Sequence, residues 1–265
     1  MVRTPSLTSL VLVAVASSGL VFAFWVLAPA LALPWPMLAY VSAFVAVAAM
    51  TLTAAASAPV LSWKGVVVSI VAGIIALGAV AWYGEHIHSA VEAVIVTVVL
   101  LTAGSIVGAT VGGRIEHPGH LLAVVVVSVL VDTFSVFHPA GPTAAVVSRP
   151  AVIALLALPW PVFGTDVFAP VLGVGDIVFA ALYFATTRRY ELGMWRTALA
   201  LALGLLATMV GVMVAQVPLP ALVGMGVAML VAHPKARRLP REDRRKALWV
   251  LGALVLLWLF LFLRR

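Results

Sequence analysis

The chain contains no cysteine, and only 9% of its 265 residues are charged. Without cysteine there is no disulfide framework, no thiolate metal site and no thiol nucleophile, and redox usage says nothing about compartment. With so few charges against 64% apolar residues, a soluble domain would lack the polar surface to cover its core. The mean hydropathy of +1.20 makes lipid the natural solvent. Nine acidic residues against sixteen Lys and Arg give a net charge of +7. The basic residues stand between long apolar runs, so they read as topology signals and not as a nucleic-acid surface.

A membrane-crossing helix needs about 20 mostly apolar residues. Nine runs approach that length: Leu7 to Ala28, Met37 to Ala56, Gly65 to Tyr83, Ala90 to Val111, Leu121 to Phe137, Val167 to Thr187, Trp195 to Ala215, Leu219 to Ala232 and Ala247 to Leu263. The eighth is short. Val-rich stretches such as Val124 to Val127 would suit strands in water, but in lipid only helices or closed barrels satisfy the backbone, and barrels require alternating polarity. The expected fold is therefore an all-α polytopic transmembrane bundle of about nine spans. The first run exceeds a signal-peptide core of about 7 to 15 residues, which predicts a retained helix.

If loops alternate between two faces, the face holding the amino terminus collects Arg3, Lys64, Arg114, Arg188, Arg189, Arg196 and the seven basic residues from Lys235 to Lys246. Only Arg149, Arg264 and Arg265 fall on the other. The positive-inside rule then places the amino terminus in the cytoplasm and the carboxyl terminus outside, with the cell membrane as the expected location. The one long connection, His138 to Asp166, holds the apolar segment Ala151 to Leu158, which is cut off by Pro159 and Pro161 and reads as interfacial or re-entrant.

Among the acidic residues only Asp132 and Asp176 fall deep within predicted spans. A charge near the bilayer centre costs at least a few kcal/mol, so such residues are kept for a reason more often than by accident: pairing with an Arg, binding a transported ion, relaying protons or catalysis. Asp132 is five residues from Phe137 and Asp176 nine from Val167, depths of roughly 8 and 14 Å at the rise of a helix. Two carboxyls brought together in a low dielectric share a proton, and one then serves as base toward water while the other acts as acid. That chemistry needs no metal or cofactor. Gly173 and Gly175 precede Asp176 and allow another backbone to approach, or they simply pack helices. Pro218-Leu219-Pro220-Ala221-Leu222 opens the eighth run, either as an ordinary helix start or as a break whose free backbone groups line a cavity or bind an extended peptide.

An intramembrane Asp, then Gly-x-Gly-Asp in the next run, then Pro-Ala-Leu two runs later resembles the presenilin and signal peptide peptidase family. The likeness covers about Leu121 to Ala232 and includes His138-Pro139-Ala140-Gly141-Pro142, similar to the Pro-x-Gly-Pro after the first catalytic Asp of presenilins, and GVGDIVF at Gly173 to Phe179. It departs from the family in having Val131 where a Tyr commonly precedes the first Asp, and in a ninth run after Pro-Ala-Leu.

The resemblance implies an intramembrane aspartyl protease with Asp132 and Asp176 as the catalytic pair, and with Gly173, Gly175, Pro220, Ala221 and Leu222 shaping the substrate site. It implies three segments: helices at 1–118, a catalytic core at 119–233, and a basic loop with a last helix at 234–265. The loop charges give the orientation of signal peptide peptidase, and the resemblance to that family then implies transmembrane substrates whose amino terminus is inside, such as signal-peptide remnants.

Prepilin-type peptidases share a Gly-x-Gly-Asp aspartate but lack Pro-Ala-Leu. A proton- or cation-coupled transporter using both aspartates is the rival from another class, and an inert membrane scaffold is a third reading. Glu85, His86 and His88 resemble a metal cluster, yet a solvated turn explains them. The run Lys235 to Lys246 could attract anionic headgroups, though an ordinary cytoplasmic loop accounts for it. Trp160, Trp195 and Trp249 stand near span ends and suit an aromatic belt.

Overall fold

The computed structural model describes residues 5–31, 36–83, 89–138, 141, 149–165, 167–217 and 219–263. Arg3, the Glu85/His86/His88 group, Pro139, Ala140, Pro142, Asp166, Pro218, Arg264 and Arg265 lie outside the described residues. Most of the chain is helical, and six helices among the described residues are long and apolar enough to cross a membrane: Leu7–Ala30, Met37–Ser57, Trp63–Trp82, Ala90–Gly112, His120–Phe137 and Met194–Ala215. Their outward faces are strongly apolar, with Val214 80% and Ile75 67% exposed. Patches of that kind are stable only against lipid or another apolar surface. The protein is a multi-pass membrane protein.

The chain packs as two compact units, Met1–Gly113 with Arg149–Ala185, and Arg114–Ser148 with Thr186–Arg265. The first contains α1 (Leu7–Leu27), α2 (Pro36–Ser57), α3 (Trp63–Tyr83), α4 (Ala90–Val99) and α5 (Ser105–Gly112), followed by α7 (Pro150–Leu156) and a two-stranded sheet. Ser6 and Ser9 close a capping box on α1, and Ser89 and Glu92 do the same on α4, so both helices start where the sequence supplies donors and acceptors for the free first turn. Between α4 and α5 the helix widens into a π turn at Leu100–Gly104.

The helical bundle is as expected, and one two-stranded sheet is added to it. β1 (Ala157–Pro161) pairs antiparallel with β2 (Phe168–Gly173), with a bulge between Leu158 and Pro159. Both strands are edges, so Pro159, Pro161 and Pro170 remove no ladder bond from a sheet centre. β1 is buried along its whole length against α1, α2 and α4, which is how extended backbone is tolerated in a membrane protein. Segment Ala151 to Leu158 thus runs from a short helix into a strand buried in this unit. Trp160, expected in an aromatic belt, is 2% exposed and packs on Phe24 with ring centroids 5.1 Å apart. Trp195, at the start of the helix Met194–Ala215, and Trp249, two turns into the helix Arg241–Leu263, are by contrast exposed. Gly164, at φ +80°, makes the turn between the strands and donates its N–H to Ala28 O at 2.7 Å, fastening the hairpin to the end of α1.

α8 (Val174–Arg189) follows β2 directly and runs from the first unit into the second. The second unit also holds α6 (His120–Phe137), α9 (Met194–Ala215), α10 (Ala221–Ala232), a 3-10 turn at Pro234–Arg237 and α11 (Arg241–Leu263). α9 and α10 meet closely: a Cβ on Gly204 would lie 2.6 Å from Gly224 O, so glycine is needed at the crossing. α6 packs against both α10 and α11.

The count of about nine spans is not confirmed, since six helices among the described residues qualify by length and composition. α8 has 16 residues and α10 has 12, lengths of about 24 and 18 Å against a hydrocarbon core of about 30 Å.

Candidate active site

Asp132 lies on α6, five residues before its end at Phe137, as the run boundaries predict. Its Oδ2 accepts the backbone N–H of Leu222 at 3.0 Å, across 90 residues of sequence. Pro220 is the N-cap of α10 and Ala221 its first residue, so Leu222 belongs to the opening turn, whose N–H groups have no partner within the helix. The Asp132 carboxylate supplies one, at the positive end of the helix dipole. The structure therefore joins the first aspartate to the Pro-Ala-Leu element by a charge-assisted bond. Pro220 and Leu222 are buried, Ala221 half-buried, and Val131 points outward at 55% exposure.

Asp176 is placed differently from expectation. Val167 to Thr187 is not one helix: Phe168–Gly173 is strand, and the helix begins at Val174. Asp176 is then the third residue of α8, in its first turn, and a depth counted at helical rise from Val167 does not apply. Gly173 ends β2 and Gly175 sits in the first helical turn, so the glycines mark a strand-to-helix junction. A Cβ on Gly175 would meet nothing within 4 Å, whereas one on Gly173 would come 3.7 Å from Asp176 Oδ2. The glycines leave open room beside the carboxyl. Asp132, Ala221 and Leu222 belong to the second unit, and Gly173, Gly175 and Asp176 to the first.

Three features that hold these residues escaped the sequence reading. One is the seat of α8. Gly104, Gly108 and Gly112 recur every four residues along the π turn and α5. Added Cβ atoms there would lie 3.2 Å from Ile177 Cγ2, 1.9 Å from Val178 O and 2.2 Å from Leu182 O. α5 thus meets the backbone of α8 directly, and Ile177, Ala180, Ala181 and Leu182 are buried. Small residues at a spacing of four were the available signal. The second is the β-hairpin, whose strand β2 delivers the chain to Asp176.

The third is a buried polar chain in the second unit: Thr187 Oγ1 lies 2.7 Å from Thr197 Oγ1, which lies 2.9 Å from His233 Nε2. All three side chains are buried. Burial, and secondarily the Arg196 charge, hold the His233 imidazole below its ordinary pKa of 6.5. With the proton on Nδ1, Nε2 accepts from Thr197 Oγ1, which in turn accepts from Thr187; with a proton on Nε2 the chain runs the other way. Because the folded pKa is depressed, the unfolded chain binds more protons as pH falls through about 6.5, and stability is lost in that direction. Thermal unfolding followed between pH 8 and pH 5 should show a falling midpoint, with a flatter profile in His233→Gln.

No family model matches the chain, and neither a curated protein nor a solved structure matches it.

Proposed function

We propose that the protein is an intramembrane aspartic endopeptidase in which Asp132 and Asp176 form one catalytic pair. The observation that carries this reading is the bond from Leu222 N–H to Asp132 Oδ2, because it ties the first aspartate to Pro-Ala-Leu, the element that distinguishes the presenilin-like order of motifs. The helix positions add support. Asp132 meets the start of α10 and Asp176 lies in the first turn of α8, both electropositive ends. A bound cation would be repelled there, so these carboxyls are poorly placed as ion ligands and well placed for proton exchange.

The chemistry requires one carboxylate to take a proton from water as its oxygen attacks the scissile carbonyl carbon. The other, protonated, carboxyl gives its proton to the carbonyl oxygen. The resulting diol collapses as the C–N bond breaks and the amine is protonated. Leu222 holds one oxygen of Asp132 and leaves the second for water. The open space beside Gly175 accommodates an extended substrate backbone.

The substrates in this reading are transmembrane segments with the amino terminus inside, such as signal-peptide remnants. The protein resides in the cell membrane, with its basic loops in the cytoplasm. Reporter fusions after Arg149 and after Lys235 check the orientation: the first should report outside and the second inside, and the reverse would overturn it. The function is tested by incubating the purified protein in liposomes with a single-helix transmembrane peptide and mapping products by mass spectrometry. A cut inside the hydrocarbon-spanning segment is expected. A cut only near the membrane surface would favour a prepilin-type peptidase, and proton-driven flux without cleavage would establish a transporter.

A further inference from the structure

The second unit contains a groove of about 610 Å³ where α6 starts beside the approach to α11. Its walls are apolar: Leu122, Ala123, Val126 and Val127 from the first two turns of α6, with Leu239 and Val250 opposite. Its mouth is charged. Arg237, Arg244 and Lys246 line it and are exposed, and His120 and Asp243 line it half-buried.

The single carboxylate among these is already engaged, since Asp243 Oδ2 lies 3.0 Å from His120 Nε2. That contact, with help from Lys246, holds the Asp243 carboxyl below its ordinary pKa. Arg237 is fixed in place by donating from Nε to Leu230 O and from Nη2 to Val231 O, the last carbonyls of α10. Arg244 donates from Nε to Leu239 O, and no acidic side chain meets either guanidinium in these bonds. Three cations therefore face one carboxylate that is shared with a histidine. They do so where polar chain gives way to two apolar helices, the level at which a headgroup meets its acyl chains.

We propose that this groove binds an anionic phospholipid, its phosphate held by Arg237, Arg244 and Lys246 and the upper part of an acyl chain laid along Leu122, Val126 and Val250. Charge complementarity selects the lipid: a zwitterionic headgroup brings its own cation to a mouth that is already positive. The volume lies in the range of sites that enclose a small ligand, and its apolar walls suit an alkyl chain and exclude free inorganic phosphate as the preferred occupant.

The test uses the full-length protein in nanodiscs of phosphatidylcholine carrying a small fraction of phosphatidylglycerol, ejected into a native mass spectrometer. The protein should retain phosphatidylglycerol in preference to phosphatidylcholine, and millimolar inorganic phosphate should not displace it. Each basic residue near an anionic headgroup is worth about a fivefold preference, so Arg244→Gln with Lys246→Gln should reduce the enrichment about 25-fold. Val126→Phe fills the slot without altering charge and should also abolish retention, while circular dichroism reports whether each variant is folded. Ala123→Leu serves the same purpose with a smaller change.

Equal retention of both lipids would overturn the proposal, as would retention unchanged by the charge substitutions. Loss with the charge variants but not with either slot-filling variant would show a diffuse basic surface and no groove site. A dimer peak in place of bound lipid would assign the groove to a second copy of the chain.

Discussion

Asp132→Asn and Asp176→Asn should each lower the rate of transmembrane-peptide cleavage at least about a thousandfold, within the range general acid-base groups contribute. Asparagine keeps the shape of the side chain and can still accept the Leu222 N–H at Asp132, so the start of α10 should remain capped. What it cannot do is exchange a proton. The loss should therefore appear in kcat with little change in KM or in thermal midpoint. The double variant should be no worse than the poorer single one, because two groups acting as a unit are lost together when either goes. Additive losses would indicate two independent roles. Full activity in either single variant would remove Asp132 and Asp176 as a catalytic pair.

The second large effect is expected at Gly108, which the catalytic argument does not mention. A Cβ there would stand 1.9 Å from Val178 O, and the obstacle is backbone, which no rotamer change can move. Gly108→Leu must push α5 away from α8 or prevent the unit from closing. A cost of about 3 kcal/mol or more follows from overpacking of this kind, and it would show as a lower unfolding midpoint and poor membrane yield. Gly175→Ala is the informative contrast. Nothing lies within 4 Å of its Cβ position, so stability should be unchanged or slightly higher in a helical turn. Cleavage should nevertheless fall at least about tenfold, because the methyl group occupies the room proposed for substrate.

Much of this was legible in the chain. The helices at Leu7–Leu27, His120–Phe137 and Ala221–Ala232 match predicted runs to within about two residues, a normal boundary difference. Composition sets their extent, and lipid leaves the backbone no alternative there. The sixth run was misread because hydropathy does not separate helix from buried strand. Phe168–Gly173 is as apolar as a span, and its partner Ala157–Pro161 supplies the hydrogen bonds that lipid cannot. Pairing between distant segments leaves no local periodicity, whereas Pro159, Pro161 and Pro170 were a local hint that neither segment continues a helix.

The chemistry of the candidate site was more visible than its position. Asp132, Asp176 and Pro-Ala-Leu stand out because charge and proline are rare inside apolar runs. The bond from Leu222 to Asp132 is a tertiary fact that no spacing encodes. The seat of α8 on Gly104, Gly108 and Gly112 was written in the sequence as a repeat of four, but small residues are so common in membrane helices that the repeat does not identify its partner.

The central claim is that Asp132 and Asp176 act as one centre, and the absence of native cysteine makes it directly measurable. In the variant carrying Asp132→Cys and Asp176→Cys, a short thiol-bridging reagent should join the two sulfurs within one chain in membranes, giving a cross-linked peptide by mass spectrometry after digestion. Failure to bridge, with both thiols shown to react singly with a small maleimide, would place the aspartates in separate sites and contradict the account.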